Sequence, residues 1–349
     1  MLPVTDTWTT FLRTQGAVFT DGQVSGFGQP AADRRVAHAG DVLVDLTHLA
    51  FIRVGGADRT IFLNGQLTND IQNLDAGHSQ LSAWCSSKGR MLALFRVLAA
   101  DQAYLLQLPA LLRDDVIKRL RVFVMRAKVQ IEAADDTLVR FGLAGPHAAA
   151  LLNQAIGPIP NNVNEVSVSA GLTVVRLHGA TPRFEIIGAP DDASRLWSAL
   201  NSTATPASAA TWDWLDIVAG IPTVLPPTSD TFVPQMANLD LIDGINFNKG
   251  CYTGQEIVAR VHYRGRIKQR MYRARVRGTE MPLPGDTIFA ANSTGQSTGT
   301  VVLAAASPDA GHDLLAVIHS ESVARGELHL HRPDGPRLTI ESLPYRVPS

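Results

Sequence analysis

Leu49-Ala50-Phe51-Ile52-Arg53-Val54-Gly55-Gly56-Ala57-Asp58-Arg59-Thr60-Ile61-Phe62-Leu63-Asn64-Gly65 opens the pattern that decides the fold. Residues 49–54 alternate as a strand. Gly55-Gly56 turns the chain, Asp58 is placed to cap a helix through Leu63, and Gly65 stops it. Residues 91–98 read as a second strand, Asp101-Gln102 as a turn, and 103–108 as its hairpin partner. Pro109 starts a helix to about Arg121, and 128–133 closes the unit with a strand. The order is β-α-β-β-α-β.

The order begins again further along. Residues 138–144 read as a strand, and Gly145-Pro146 opens a helix to about Gln154. Residues 173–178 and 184–187 form a hairpin, and 191–200 a helix with acids in its first turn. Residues 201–210, rich in Ser, Thr and Ala, read as a loop, and 212–219 as a helix ended by Gly220 and Pro222. Beyond Met271 the pattern changes to short β segments at 271–276, 287–290, 299–303, 314–318, 328–331 and 338–341. The expected fold is therefore α+β: two ferredoxin-like split β-α-β units in tandem, then a small C-terminal β-barrel. The expected organisation is a peripheral lead-in at 1–35, a first α+β domain at 36–135, a second at 136–270 and a barrel domain at 271–349.

Composition narrows the function. The 349 residues include 31 Lys+Arg and 32 Asp+Glu, a formal charge of -1, which excludes a globally basic nucleic-acid binder but not a local basic face. Two cysteines, Cys85 and Cys251, cannot build a disulfide framework or a four-thiolate metal site within one chain, so no intrinsic metal is expected. Residues 1–19 lack a basic start followed by an apolar run, and the richest apolar stretch, 91–100, is short and contains Arg96. The expectation is a protein with no membrane contact, cytoplasmic if bacterial and in an organellar matrix if eukaryotic. Gly26-Phe27-Gly28 lacks the rest of a dinucleotide fingerprint.

Four segments could carry chemistry. In Lys249-Gly250-Cys251-Tyr252-Thr253-Gly254-Gln255-Glu256, glycines flank a cysteine just before a helical pattern. A helix N-terminus and Lys249 would both favour a thiolate, although a small buried cysteine in a tight turn reads equally well. Residues 65–70 and 86–90, which include Asn69, Lys88 and Arg90, read as a pocket rim or as ordinary capping. Glu185, in the strand Arg183-Phe184-Glu185-Ile186-Ile187, is either solvent-facing or a buried carboxylate awaiting N–H donors. From 257 to 279 there are Arg260, Arg264, Arg266, Lys268, Arg270, Arg273, Arg275 and Arg277 with no acid. Alternation from Arg264 to Arg270 would put four cations on one strand face, suited to a phosphate backbone, or to solvation beside acids from elsewhere.

The cysteine segment, continuing to Arg260 and Arg264-Gly265, resembles the signature of the YgfZ family. These are folate-binding proteins related to the T-protein (aminomethyltransferase) of the glycine cleavage system. Asp58-Arg59 with residues 62–70, Lys88-Gly89-Arg90-Met91 and Ala219-Gly220-Ile221-Pro222 match further stretches, so the resemblance runs from about residue 36 to the end. It implies a three-domain ring with tetrahydrofolate, or a one-carbon derivative, at the centre. It also implies a role in assembling or maintaining iron–sulfur enzymes, including tRNA-modifying ones. Cys251 with Lys249 would be the functional pair, within a motif completed by Gly250, Gly254, Gln255, Glu256 and Arg260. Glu185 falls where T-proteins place a pterin-binding glutamate, and Asn69, Lys88, Arg90, Trp212 and Tyr252 would line the cofactor. Folate, iron–sulfur enzymes or their assembly proteins, and tRNA along Arg264, Arg266, Lys268 and Arg270 are the partners implied. T-proteins carry an acidic pair where this sequence has Ala93 and Leu94, and an Arg near the position of Trp212. Aminomethyl transfer needs a carboxylate for proton handling, so that activity is expected to be weak or absent. A folate-dependent one-carbon transferase and a non-enzymatic RNA- or protein-binding adaptor remain the alternatives.

Overall fold

The computed structural model describes residues 4–28, 39–135, 137–291 and 295–348. The chain begins with α1 (Val4–Thr14), the ribbon β1 (Val18–Thr20) and β2 (Gln23–Gly26), and β3 (Val42–Asp45). The first split unit then comprises β4 (Leu49–Gly55), α2 (Arg59–Asn64), β5 (Ser79–Cys85), β6 (Met91–Ala100), β7 (Ala103–Pro109), α3 (Ala110–Val122) and β8 (Gln130–Ala133). Its sheet runs β5-β6-β7-β4-β8, with each neighbouring pair antiparallel. That is the ferredoxin-like order with β5 added at one edge.

The second unit comprises β9 (Val139–Ala144), α4 (Ala148–Ile156), β10 (Val166–Ser169), β11 (Leu172–Leu177), β12 (Arg183–Gly188), α5 (Pro190–Leu200) and β13 (Thr205–Ala207). Its sheet runs β10-β11-β12-β9-β3-β13. The slot beside β9 is thus filled by β3 from ahead of the first unit, and β13 joins outside it as a parallel strand. The span 201–210, expected as a loop, contains β13. The lead-in expected at 1–35 is more than peripheral in its described part, residues 4–28. Trp8 and Leu12 of α1 are fully buried against Phe141 and Trp197, and Trp8 Nε1 donates to Asp45 Oδ1 at 2.7 Å.

Alternation along the second sheet divides its side chains between two layers. Leu43, Phe141, Leu143, Phe184 and Ile186 pack under the helices, whereas Val44, Val175 and Ile187 join the core shared with the first sheet. After α6 (Ala209–Ala219), short 3₁₀ turns lead to α7 (Gln255–Arg264). Then β14 (Gln269–Val276), β15 (Thr287–Ala290), β16 (Gly299–Ala306), β17 (His312–His319), α8 (Ser320–Arg325), β18 (Leu328–Leu330) and β19 (Arg337–Glu341) follow. The six strands close into a barrel in the order β14-β17-β16-β15-β18-β19. Met271, Val302, Leu303, Leu315 and Val317 attach the barrel to the common core. Trp214 of α6 donates to Asp313 Oδ2 at 2.8 Å across that contact. The α+β class, the tandem units and the barrel are those expected. No helix among the described residues is long and apolar enough to cross a membrane.

Candidate functional site

Glu185 lies between the two sheets and is 1% exposed. The solvent-facing reading fails because the face of β12 opposite its helices packs on the first sheet. Gln107, on β7 of that sheet, donates Nε2–H to Glu185 Oε1. Among the described residues Oε2 receives no hydrogen-bond donor. Burial pushes the Glu185 carboxyl above the ordinary carboxylate range, against the pull of Arg96, Arg140 and Gln107, while Asp216 adds to the rise. The β9–β12 register sets Gly142 opposite Glu185. A Cβ at Gly142 would meet Trp212 Cζ3 at 2.2 Å, so the indole occupies the space that glycine leaves, beside the glutamate. The Arg183 guanidinium covers the same ring at 4.4 Å and pairs with Asp216 at 2.8 Å. Trp212 is therefore buried beside Glu185 in the packing between the sheets.

Arg96 lies between this buried cluster, where its charge acts on Glu185, and a surface recess. Its Nη1 donates to Ser79 Oγ and Asn164 Oδ1, both at 2.9 Å. Those two residues line a recess of about 570 Å³, together with Asn69, Gln80, Asp243, residues 245–248, His262 and Tyr263. Asn69 braces the rim: its Nδ2 donates to Leu81 O at 3.0 Å and Asp243 O at 2.7 Å. Burial, with Arg96, lowers His178 to about 4, so its imidazole is neutral. His178 Nδ1 and Gln80 Nε2 are buried without a partner among the described residues. With Glu185 Oε2 they give unsatisfied polar atoms that a polar heterocycle could engage.

The cysteine segment follows Asn248 of the recess lining in the chain. Cys251 is exposed, whereas Cys85 is buried and its thiol is pushed up to about 12 by burial, with Asp230 adding to the rise. Gly254, in the left-handed region at φ 82°, caps α7. A Cβ there would meet Ser86 O at 2.4 Å and Gly89 Cα at 2.9 Å, so the glycine lets the segment seat on the Ser86-to-Arg90 turn. Lys88 and Arg90 are exposed on that turn, and Arg90 Nη1 donates to Thr231 O at 3.2 Å. Tyr252 is buried, which raises its phenol above its usual range, with Cys85 adding to the effect. Lys249 points inward. Its Nζ donates to Asn64 O and Leu67 O, each at 2.6 Å, and lies 5.1 Å from the Tyr252 ring centroid. Burial lowers it to about 8, with Asp70 opposing. Its charge anchors the loop to the end of α2.

The basic strip is not one strand face. Arg264 ends α7, Arg266 and Lys268 lie in the connection, and β14 begins at Gln269. Arg270 is buried and paired with Asp240 through two hydrogen bonds of 2.6 and 2.9 Å, so it is not available to an external phosphate. Arg273 and Arg275 face Asp313. Arg260, Arg264, Arg266 and Lys268 are exposed and have no ion pair among the described residues. Gln255 and Glu256 occupy the first turn of α7.

Gln107, Arg96, Asn164 and Asp243 are the residues sequence reasoning missed. Gln107 and Arg96 carried a signal, a polar residue inside an otherwise apolar strand, whereas Asn164 and Asp243 lie in loops with nothing to mark them. Among the described residues no group of three or more His, Cys, Asp or Glu side chains could hold a metal ion.

Comparison with known proteins agrees with this architecture. The family model for the GCVT N-terminal domain matches residues 29–242. The chain is 31% identical to the tRNA-modifying protein YgfZ of Sodalis glossinidius over 312 residues, covering 89% of this chain and 95% of the relative. It is 32% identical to the protein of the same name from Klebsiella pneumoniae over 320 residues, covering 91% and 96%. The aminomethyltransferase T of the glycine cleavage system from Bartonella henselae shares the fold, with a TM-score of 0.75 at 18% identity over 97% of this chain and 96% of that one. The matched domain, the full-length relatives and the shared fold place the chain in the YgfZ family, whose members are built like the glycine cleavage T-protein.

Proposed function

We propose that this protein binds tetrahydrofolate, or a one-carbon derivative, at Glu185 and the recess that Arg96 borders, and supports the assembly or maintenance of iron–sulfur enzymes, tRNA-modifying ones among them. The observation that carries the reading is Glu185: a carboxylate buried between two sheets, with one oxygen on Gln107 and the other without a donor among the described residues. A carboxylate in that state suits a planar edge offering N–H groups, since charge-assisted pairs of this kind are short and directional. Glu185 would orient the pterin, and Trp212 would wall its plane. Arg96 would hold the passage to the recess. When bound, the folate supplies a carrier for one-carbon chemistry.

Cys251 is the exposed one of the two thiols. One thiolate per chain cannot hold a cluster alone, so it would act together with a client protein. Ala93 and Leu94 lie buried in β6 where T-proteins carry carboxylates, which favours an accessory role over aminomethyl transfer.

The test is a titration of wild type and Glu185→Ala with a reduced folate. Loss of a charge-assisted contact predicts affinity lower by about 10- to 100-fold. Equal affinity would mean that the pterin is wrongly placed. For the iron–sulfur role, Cys251→Ala should fail to restore iron–sulfur enzyme activity in cells lacking the protein, and full restoration would remove the thiol from the mechanism. Turnover of an aminomethyl donor by the folded protein would instead favour the transferase reading.

A further inference from the structure

The last turns of α7 build an aromatic and basic surface at the outer border of the recess. Phe247 and His262 stack with centroids 3.7 Å apart and planes 14° apart. Tyr263 stands edge-on to both, at 4.7 Å from His262 and 6.4 Å from Phe247, and is 65% exposed. On one side of this ledge lies the amide-rimmed recess, with Asn69, Asn246 and Asn248 on its border. On the other lies a second recess of about 480 Å³ lined by Glu256, Ala259, Arg260, Tyr263 and Arg264. Helical spacing puts Arg260, Tyr263 and Arg264 on one face. Tyr263 therefore borders both recesses, with open guanidiniums beside an open ring.

We propose that this ledge takes unpaired nucleotides of an RNA, bases against Phe247, His262 and Tyr263, and phosphates on Arg260 and Arg264. The proposal rests on the tRNA-related part of the function proposed above and names the contact surface. Three features point to unpaired RNA. Every base has a π-face, so exposed rings hold single strands without demanding one sequence. Asn69 spends its amide on Leu81 O, Asp243 O and Asp70 N, whereas the Nδ2 groups of Asn246 and Asn248 make no hydrogen bond among the described residues and can donate to the edge of a splayed base. Arg260 and Arg264 have no ion pair among the described residues, unlike Arg270, Arg273 and Arg275, so they are available to a polyanion. Glu256 and Asp243 are the acids on the borders of these recesses. A phosphate chain would run past them on the arginine side.

The experiment measures binding of a fluorescein-labelled RNA hairpin with an unpaired loop by anisotropy, with a fully paired duplex of the same composition as comparison. Wild type should prefer the hairpin. Tyr263→Ala should weaken hairpin binding by about 5- to 100-fold, the range for one stacked base, and Tyr263→Phe should restore it. Arg260→Ala and Arg264→Ala should each flatten the salt dependence by roughly 0.7 in log–log slope. Reduced-folate titration of Arg264→Ala, which lies outside the recess that Arg96 borders, should match wild type and so separate this contact from the Glu185 site. Equal hairpin affinity for Tyr263→Ala and wild type overturns the proposal. So does a loss of folate affinity in Arg264→Ala, which would assign the ledge to the cofactor. Absence of RNA binding with client-protein binding lost in Tyr263→Ala overturns it in favour of a protein interface. Failure of the Glu185→Ala titration would sink the folate reading and leave this result standing.

Discussion

Lys249 and Asn64, 185 positions apart in the chain, are joined by a hydrogen bond of 2.6 Å from the ammonium to the main-chain carbonyl. The second bond, to Leu67 O, completes the clamp. It fixes the cysteine-bearing loop to the end of the first helix of the first split unit. Lys249→Met should cost about 1.5–3 kcal/mol, the range for charged hydrogen bonds, because both carbonyls lose their donor. Chemical denaturation would measure it, and an unchanged midpoint would show that the clamp contributes nothing.

The glycines of the same loop should separate. Gly254→Ala forces a Cβ against Ser86 O at a left-handed φ, so it should lower Tm clearly and loosen the loop from its turn. Gly250 has nothing within 4 Å of a Cβ, and Gly250→Ala should stay within about 0.5 kcal/mol of wild type. Equal melting of the two variants would contradict the packing described.

Glu185 links pH to stability. Its carboxyl is raised in the folded state, so the native protein holds that proton more tightly than the unfolded chain. The stability so gained is complete below the unfolded value and fades as pH rises through the folded one. Ligand-free protein should therefore lose Tm from about pH 5 upward, and Glu185→Gln should flatten that decline and melt higher near neutrality. Parallel Tm–pH curves for the two proteins would refute the coupling.

The cations of the strip should divide by burial. Arg270→Ala leaves Asp240, itself largely buried, without its partner and should cost about 3–5 kcal/mol. Arg266→Ala, exposed and unpaired among the described residues, should change stability by less than about 0.5 kcal/mol. Similar losses for both would mean that the pairing with Asp240 is not what holds Arg270.

The thiols should differ in reactivity. Cys251 is exposed and should react at once with a chromogenic disulfide reagent. Cys85, buried and raised to about 12, should react only on unfolding. Two fast equivalents from native protein would contradict the burial of Cys85.

Much of the fold was legible because most of the strands recognised pair with near neighbours in sequence. The hairpins at 91–108 and 172–188 and the barrel strands follow from alternation and turn residues. Other elements were not. Val42–Asp45 is short, pairs with strands far along the chain and lies in a run buried on both faces, where alternation disappears. Thr205–Ala207 includes a proline and joins only at the edge. Ser79–Cys85 and α1 gain their burial from partners that local pattern does not reveal.

The site divides in the same way. Local chemistry in the sequence determined that Cys251 sits between glycines ahead of a helix, that Glu185 interrupts an apolar strand, and that cations crowd residues 257–279. Only the tertiary structure decided that Glu185 is buried against Gln107, that Lys249 serves the backbone of a distant turn, and that Arg270 belongs to Asp240. The reason is that sequence periodicity reports which face a residue occupies, whereas the meaning of a charge depends on what the facing layer brings to it.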